Sequence, residues 1–494
     1  MQDIKPDLSS LGSVSRGAGL HVVGYFSKTV LTLVTTIILT RVLGPALYGI
    51  YAYLRIVLPM CTSVTRVGAD NSLLRFIPEY GETSRRTQSV VTLAYTVSLV
   101  MSIVVGFGLY VFAPTLSELT INEPLFADSL RIIAFIIPFH TLANISASVF
   151  KSLEQMGYTI AIKSLSRPFF ELLFVGGAVL LGYSVVGAAA GLVVSGIITF
   201  LVAVFLLLQR TELGTVRCPT RSETVEYLNF SVPLTFNQVG SLLYKRVDLV
   251  MVGLFLSSSS VGVYQVSVTL ASFLVLPLTA FNQLFPPIAS RLYTNGELSE
   301  LGDLYATVTR LVFTISLFPS MYVIANAGTA LQIFGSGFTE GASVVILISV
   351  AQLINAAVGP SGYLLMMTDH QYLSTVNQIV SGGANIVLNY FLITELGLIG
   401  AAVATASVTA VINVLRVGQV WYLEGLNPYN WDYAKPMVSG LVAGVVLVSM
   451  RAFLSGPTLL FVGGLSGGLV YIGTLGVLGL SDDEQKMLKT IVKD

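Results

Sequence analysis

Charged side chains set inside long apolar blocks are the residues of this chain most able to do chemistry, because lipid will not hold them. Lys28 belongs to a stripe of His21, Tyr25, Lys28, Thr32 and Thr35, spaced four, three, four and three residues apart, which is one face of a helix. Ser231, Thr235, Gln238, Ser241, Lys245 and Asp248 form a second such stripe. Arg55, Arg131, Lys163, Arg167, Glu171, Arg246 and Arg310 also fall at membrane depth. Intramembrane charge is expensive, by at least ~2.5–3.5 kcal/mol on insertion scales, and it normally faces protein or a wet cavity.

Basic residues outnumber acidic ones in this set. A cationic lining suits an anionic cargo, since Arg and Lys bind phosphate oxygens well. Lys28, Arg55, Lys245, Arg246 and Arg167 are therefore the candidate substrate ligands, and Asp248 and Glu171 the candidate carboxylates for coupling to a cation or proton. Arg55 has no partner within its own helix. Lys163, Arg167 and Glu171 follow at intervals of four, so Arg167 and Glu171 can also neutralise each other, as can Lys245 and Asp248 three apart. The Ser and Thr members of the stripes are equally readable as hydrogen-bonding glue between helices. Arg131 and Arg310 lie nearer span ends and are expected to snorkel, and His140 is expected to be a hydrogen-bonded core residue. Cys61 and Cys218 fit no disulfide framework and no metal spacing. No loop holds an acid pair, a nucleophile constellation or a metal-ligand cluster, so neither an enzyme nor a cofactor is expected.

The elements that must position these residues are transmembrane helices. Of 494 residues 54% are hydrophobic and 11% charged, less than half the charge of an ordinary soluble domain, and the mean hydropathy is +0.80. The apolar blocks are each long enough to cross ~30 Å of hydrocarbon, and nothing alternates as membrane strands would. About fourteen spans are expected, near 19–43, 47–67, 88–112, 129–150, 158–182, 185–209, 229–256, 260–286, 304–326, 341–366, 371–394, 397–422, 435–453 and 457–480. The block 327–340, with "GSGF", reads as a loop. Proline at 59, 138, 168, 233, 277 and 360 should kink or break its span. The first apolar block is too long for a signal-peptide core and is expected to stay in the mature protein. The "SDDE" at 481–484 has capping-box spacing for a short surface helix.

Arg75, Arg85, Arg86, Lys151, Arg210, Arg217, Arg221 and Arg291 fall in loops on one side, with Lys5, Arg16, Lys486, Lys489 and Lys493 in the tails. Loops on the other side hold no Lys or Arg, so both termini are expected in the cytoplasm. "YGIY" at 48–51 returns as "VGVY" at 261–264, and "VGAAA" at 186–190 as "IGAAV" at 399–403, both shifted by 213. Six spans separate the copies, so the repeats are parallel, as in transporters that rock two lobes around a site. The expected division is 1–215 for spans one to six, 216–425 for spans seven to twelve, and 426–494 for spans thirteen, fourteen and the tail.

The stretch "ILTRVLGPALYGIYAYLRIVLP", then "GADNSLLRFIPEY", resembles the N-terminal signature of the polysaccharide transporters in the multidrug/oligosaccharidyl-lipid/polysaccharide exporter superfamily. "SVPLTFNQVGSLLYKRVDLVMVGLFLSSSSVGVYQVSVTLASFL", "GPSGYLLMMTDHQYL" and "GLIGAAVATAS" follow in the family's order. The resemblance covers about the first 425 residues, and "MTDHQ" departs from it where the family often has Gly before a basic residue. It implies an all-α fold of two pseudo-symmetric six-helix lobes plus two C-terminal helices, with Arg41, Gly44, Pro45, Gly49, Asp70, Arg75 and Asp248 on motif positions. It implies translocation of a polyprenyl- or dolichyl-linked oligosaccharide across the cell membrane, beside membrane lipids and the pathway's glycosyltransferases, without nucleic acid. The rivals are a cation-coupled multidrug exporter of the same superfamily and a membrane polysaccharide polymerase, which would need a large outer domain that the loops do not supply.

Overall fold

Apolar blocks in lipid have no partner for their backbone except themselves, and the chain resolves this with helices throughout. The computed structural model describes residues 8–479 except 83, 212, 214–216 and 455. Side chains before Gly24, and those of 236, 237, 239, 241–245 and 457, lie outside the described set, as does the expected tail helix at 481–494. Among the described residues every element is an α, 3-10 or π helix. Ten helices are long and apolar enough to cross a membrane, and eleven if one bent pair counts as a single span. Helix also lies over each of the fourteen expected segments. The helices long and apolar enough to cross are fewer than fourteen partly because Leu8–Thr65 runs two expected spans together and Met156–Leu180 is broken into short pieces.

The chain divides into two compact units, Met1–Gly262 and Val263–Asp494. In the first, α1 (Leu8–Thr65) bends at Gly44, whose φ of 71° lets the chain turn without a Cβ clash. It is followed by α2 (Ala69–Tyr80), α3 (Arg85–Leu119), α4 (Pro124–Ala134) and α5 (Ile136–Ser152). A broken helix follows: α6 (Met156–Ile160), a π turn (Ala161–Ser166), α7 (Arg167–Phe170), a second π turn (Glu171–Gly176) and α8 (Gly177–Leu180). Then come α9 (Val185–Arg210) and α10 (Arg221–Phe255). Helix α5 is the core: residues 140–150 are buried without a break, and its Ala143, Ser146 and Ala147 let α2, α3 and α9 approach closely. Leu73, Phe76, Phe150, Ile162 and Tyr227 pack in the same cluster. Helix α10 packs on α1, α2 and α3 and falls in the first compact unit.

Proline acts one turn upstream of itself, through the carbonyl at i−4. The 48° bend between α4 and α5 falls at Phe135, three residues before Pro138. The first π turn precedes Pro168, and a 3-10 turn at Phe273–Val275 precedes Pro277. By contrast α1 runs through Pro59 and α10 through Pro233 as continuous helix.

The second unit begins within α11 (Ser258–Ser272) and continues with α12 (Leu276–Thr294), α13 (Leu298–Ala325) and α14 (Ala327–Leu331). The stretch expected as a loop at 327–340 thus carries α14 and a 3-10 turn at Ser336–Gly341. Next are α15 (Ala342–Val358), α16 (Ser361–Met367), α17 (Gln371–Leu396) and α18 (Leu398–Glu424). The last helices are α19 (Ala434–Met450), α20 (Gly456–Thr458) and α21 (Gly464–Leu478). Helix α13 is central, packed by α12, α15 and α19. The α19–α21 pair docks on it through Tyr471 Oη, which donates to the Thr314 carbonyl at 2.8 Å. Arg310 does not snorkel: it is 3% exposed and donates to Asp432 at 3.3 Å and Asn430 at 3.2 Å. The loop before α19 folds back and supplies its counter-charge.

Candidate functional site

The first unit gathers Arg55, Arg66, Asp70, Lys163, Arg167 and Glu171 into one polar interior, whereas Arg131 pairs with Asp128 at 3.5 Å outside it. Arg55 lies on the second half of α1, and its Nη1 donates to Glu171 Oε2 at 2.7 Å. The Glu171 side chain is 9% exposed and that of Arg55 38%. Glu171 opens the second π turn and Arg167 follows the first. An i→i+5 turn is wider than an α turn and rotates less per residue, so residues four apart stay nearer one line. Two such turns keep Lys163, Arg167 and Glu171 together, and π turns recur at functional sites.

The sequence allowed Arg167 to neutralise Glu171; the structure gives Glu171 to Arg55 instead. Arg167 Nη2 donates to Asn144 Oδ1 at 3.3 Å, and its buried Nε has no partner among the described residues. Lys28, exposed on α1, lies within electrostatic reach of Arg167, Arg55 and Glu171. Arg66 pairs with Asp70 one turn along, Asp70 accepts from Ser148 Oγ at 2.8 Å, and Arg66 Nε donates to the Thr62 carbonyl. Lys163 is within electrostatic reach of Asp70, Arg66 and Arg167. His140 is buried, as expected, but its Nδ1 has no hydrogen-bond partner among the described residues.

Four cations (Arg55, Arg66, Lys163 and Arg167) therefore share this interior with two carboxylates, Asp70 and Glu171, and a fifth, the exposed Lys28, lies within electrostatic reach. Under the shift of 213, Arg55 corresponds to Val268, Lys163 to Val376, Arg167 to Val380 and Glu171 to Ala384. The charge belongs to the first half of the sequence repeat and has no counterpart in the second.

The two polar stripes divide. Tyr25 and Lys28 are exposed, whereas Thr35 is buried and its hydroxyl returns to the Leu31 carbonyl. Ser231 is helix glue, with Oγ 2.6 Å from that of Ser72, and Thr235 bonds back to the Ser231 carbonyl. Arg246 is exposed on α10, within electrostatic reach of Tyr48. Asp248 is half-buried and accepts from the Leu249 amide at 2.8 Å, among other contacts. The side chains of His21, Ser241 and Lys245 lie outside the described set.

Sequence reasoning named Asp70 only as a motif position and passed over Arg66, four residues before it, as well as Asn144 and Ser148, also four apart on α5. No group of three or more His, Cys, Asp or Glu among the described residues is arranged to hold a metal ion, and Cys61 and Cys218 are both free.

The model of the family described as polysaccharide biosynthesis protein matches residues 14–292. The chain is 25% identical over 391 residues to the probable low-salt glycan biosynthesis flippase Agl15 of Haloferax volcanii, covering 76% of this chain and 79% of that one. Among solved structures it is similar to the lipid II flippase MurJ in an inward closed conformation, with a TM-score of 0.74 and 15% identity over 92% of this chain and 98% of that one. It is also similar to an inward-facing multidrug resistance MATE family transporter of the MOP superfamily, with a TM-score of 0.63 and 15% identity over 81% and 94%. At such identities the two likenesses establish the fold.

Proposed function

The chain belongs to the polysaccharide biosynthesis protein family, and from that premise we propose that it is a flippase for a lipid-linked oligosaccharide. Its cargo is a saccharide on a polyprenyl or dolichyl phosphate, carried from the cytoplasmic to the outer face of the cell membrane. The observation that carries this reading is the excess of cations over carboxylates in the N-terminal interior. Unpaired charge at that depth is costly, and a phosphate headgroup is the ligand that compensates it. Lys28, Arg55 and Arg167 are its ligands, with Lys245 on the stripe of α10 and its neighbour Arg246; Asp248 and Glu171 are the carboxylates available for cation or proton coupling. The similarity to Agl15, a probable glycan flippase, supports the same class of cargo.

The cycle we propose is alternating access, in which the basic face is opened to each side of the membrane in turn while the lipid tail stays in the bilayer. Both termini are cytoplasmic in this scheme. A potential negative inside then assists export of the phosphate by ~2.3 kcal/mol per charge per 100 mV. The MATE likeness raises an exporter of organic cations as the second reading. Lys28, Arg167 and Lys163 argue against it, since a cationic lining repels such a cargo.

The discriminating experiment reconstitutes the protein in liposomes carrying a fluorescent lipid-linked oligosaccharide and follows loss of inner-leaflet label. Flipping that tetraphenylphosphonium does not inhibit supports the flippase; uptake of tetraphenylphosphonium with no lipid movement would favour the cation exporter.

A further inference from the structure

The Arg55–Glu171 pair has features that a purely structural ion pair does not need. The Glu171 side chain is enclosed while the Arg55 side chain is open over more than a third of its surface. A single hydrogen bond joins them and Tyr51 is a further hydrogen-bonding neighbour of Arg55, so several of the five guanidinium donors remain for another acceptor. Glu171 is also the first residue of a π turn. If that turn tightened to α geometry, one residue would leave it and Glu171 would swing by about 100° around the helix axis. Gly176 and Gly177 sit at its far end, and a Cβ on Gly177 would meet nothing within 4 Å, so the backbone has room to rewind.

We propose that Glu171 is a resident counter-ion that occupies Arg55 until a cargo phosphate displaces it, which makes it the residue that sets how much anionic charge a ligand must bring. This rests on the flippase reading, because it assumes that Arg55 contacts the headgroup. The carboxylate keeps Arg55 neutralised when the site is empty and is handed away from it when a phosphate arrives. The handover couples headgroup binding to the winding of the broken helix 156–180. A ligand with one weak negative charge competes poorly with Glu171, whereas a phosphate or diphosphate competes well.

The test measures binding of inorganic pyrophosphate and of inorganic phosphate to the purified full-length protein in detergent. Wild type is compared with Glu171→Gln, Arg55→Gln, the double substitution and Glu171→Asp. Removing the competitor should tighten pyrophosphate binding roughly tenfold, at the lower end of what close charge pairs contribute at desolvated sites. That gain should vanish in the double variant, and Glu171→Asp should resemble wild type. The double variant has lost both charges together, so it stays informative if Glu171→Gln alone fails to fold. Binding that is weakened by Arg55→Gln but unchanged or weakened by Glu171→Gln would overturn the counter-ion role and leave the basic site standing. Binding indifferent to Arg55→Gln would overturn both.

Discussion

Gly49 and Gly262 meet in a reciprocal contact. A Cβ built on Gly49 would lie 1.7 Å from the Ser258 carbonyl oxygen, and one on Gly262 would lie 2.2 Å from the Pro45 carbonyl oxygen. Pro45 and Ser258, like Gly49 and Gly262, are separated by 213 positions, so the repeat seen in the sequence is also a repeat of packing. The neighbours are backbone atoms and cannot move aside. Gly49→Ala and Gly262→Ala should each cost about 1–3 kcal/mol through overpacking, read as a lowered Tm in detergent. Gly108→Ala, where a Cβ would meet nothing within 4 Å, should leave Tm unchanged or slightly raised.

Arg310 and Asp432 fasten the segment before α19 onto α13. Asp432→Ala leaves a guanidinium that is 3% exposed without its carboxylate, at a cost of about 3–5 kcal/mol. Asp432 also holds Lys435 at 3.0 Å. Limited proteolysis should therefore cut the 425–433 connection faster in Asp432→Ala than in wild type. Arg310→Met with Asp432→Ala should recover part of the loss, since an apolar replacement leaves no buried charge.

An amide seam runs through the second unit. Asn377 and Gln419 exchange hydrogen bonds at 2.6 and 3.1 Å, and Asn413 donates to Asn355 at 3.0 Å. Asn377→Leu should cost about 0.6–1.7 kcal/mol, the range of interhelical hydrogen bonds in membranes. Asn377→Leu with Gln419→Leu should cost less than twice that, because neither amide is left unpaired. A double-mutant cycle on thermal unfolding measures the difference.

Glu223 caps α10: its Oε2 accepts from the Thr220 amide at 2.7 Å, and Thr220 Oγ1 accepts from the Glu223 amide. The hydrogen bond from the Thr220 backbone holds the Glu223 carboxyl below the usual carboxylate range. Its folded pKa is thus lower than its unfolded one. The stabilisation is complete above the ordinary carboxylate pKa of about 4.3 and fades as pH falls through the lower folded value. Hydrogen exchange at 221–226, corrected for intrinsic rates, should accelerate over that acidic window in wild type. Glu223→Gln should flatten the dependence.

The helices were legible in the sequence because apolar length alone dictates them in lipid. So were the positions of charge on a face: Lys163, Arg167 and Glu171 do share one. What was not legible is which charge meets which. Arg55 and Glu171 are 116 residues apart, and their pairing depends on how α1 packs against the second π turn. The π turns themselves arise from a local conflict around Pro168 and leave no periodic trace. Arg310 was misread because its counter-charge comes from a connection 122 residues away. One member of the amide seam, Asn377, stood in view on a polar stripe with Ser381, Asn385 and Asn389 at intervals of four. It was passed over because neutral side chains announce their cost less loudly than charges do.

The most direct test of the basic site is the rate at which a fluorescent lipid-linked oligosaccharide is flipped in proteoliposomes by Lys28→Ala, Arg55→Ala and Arg167→Ala, with charge-conserving Lys28→Arg as a control. Each alanine variant should slow flipping about tenfold or more, a loss of ~1.4 kcal/mol, while Lys28→Arg keeps most of the rate. Wild-type rates in all three alanine variants, at equal protein incorporation, would contradict a cationic headgroup site in the N-terminal interior.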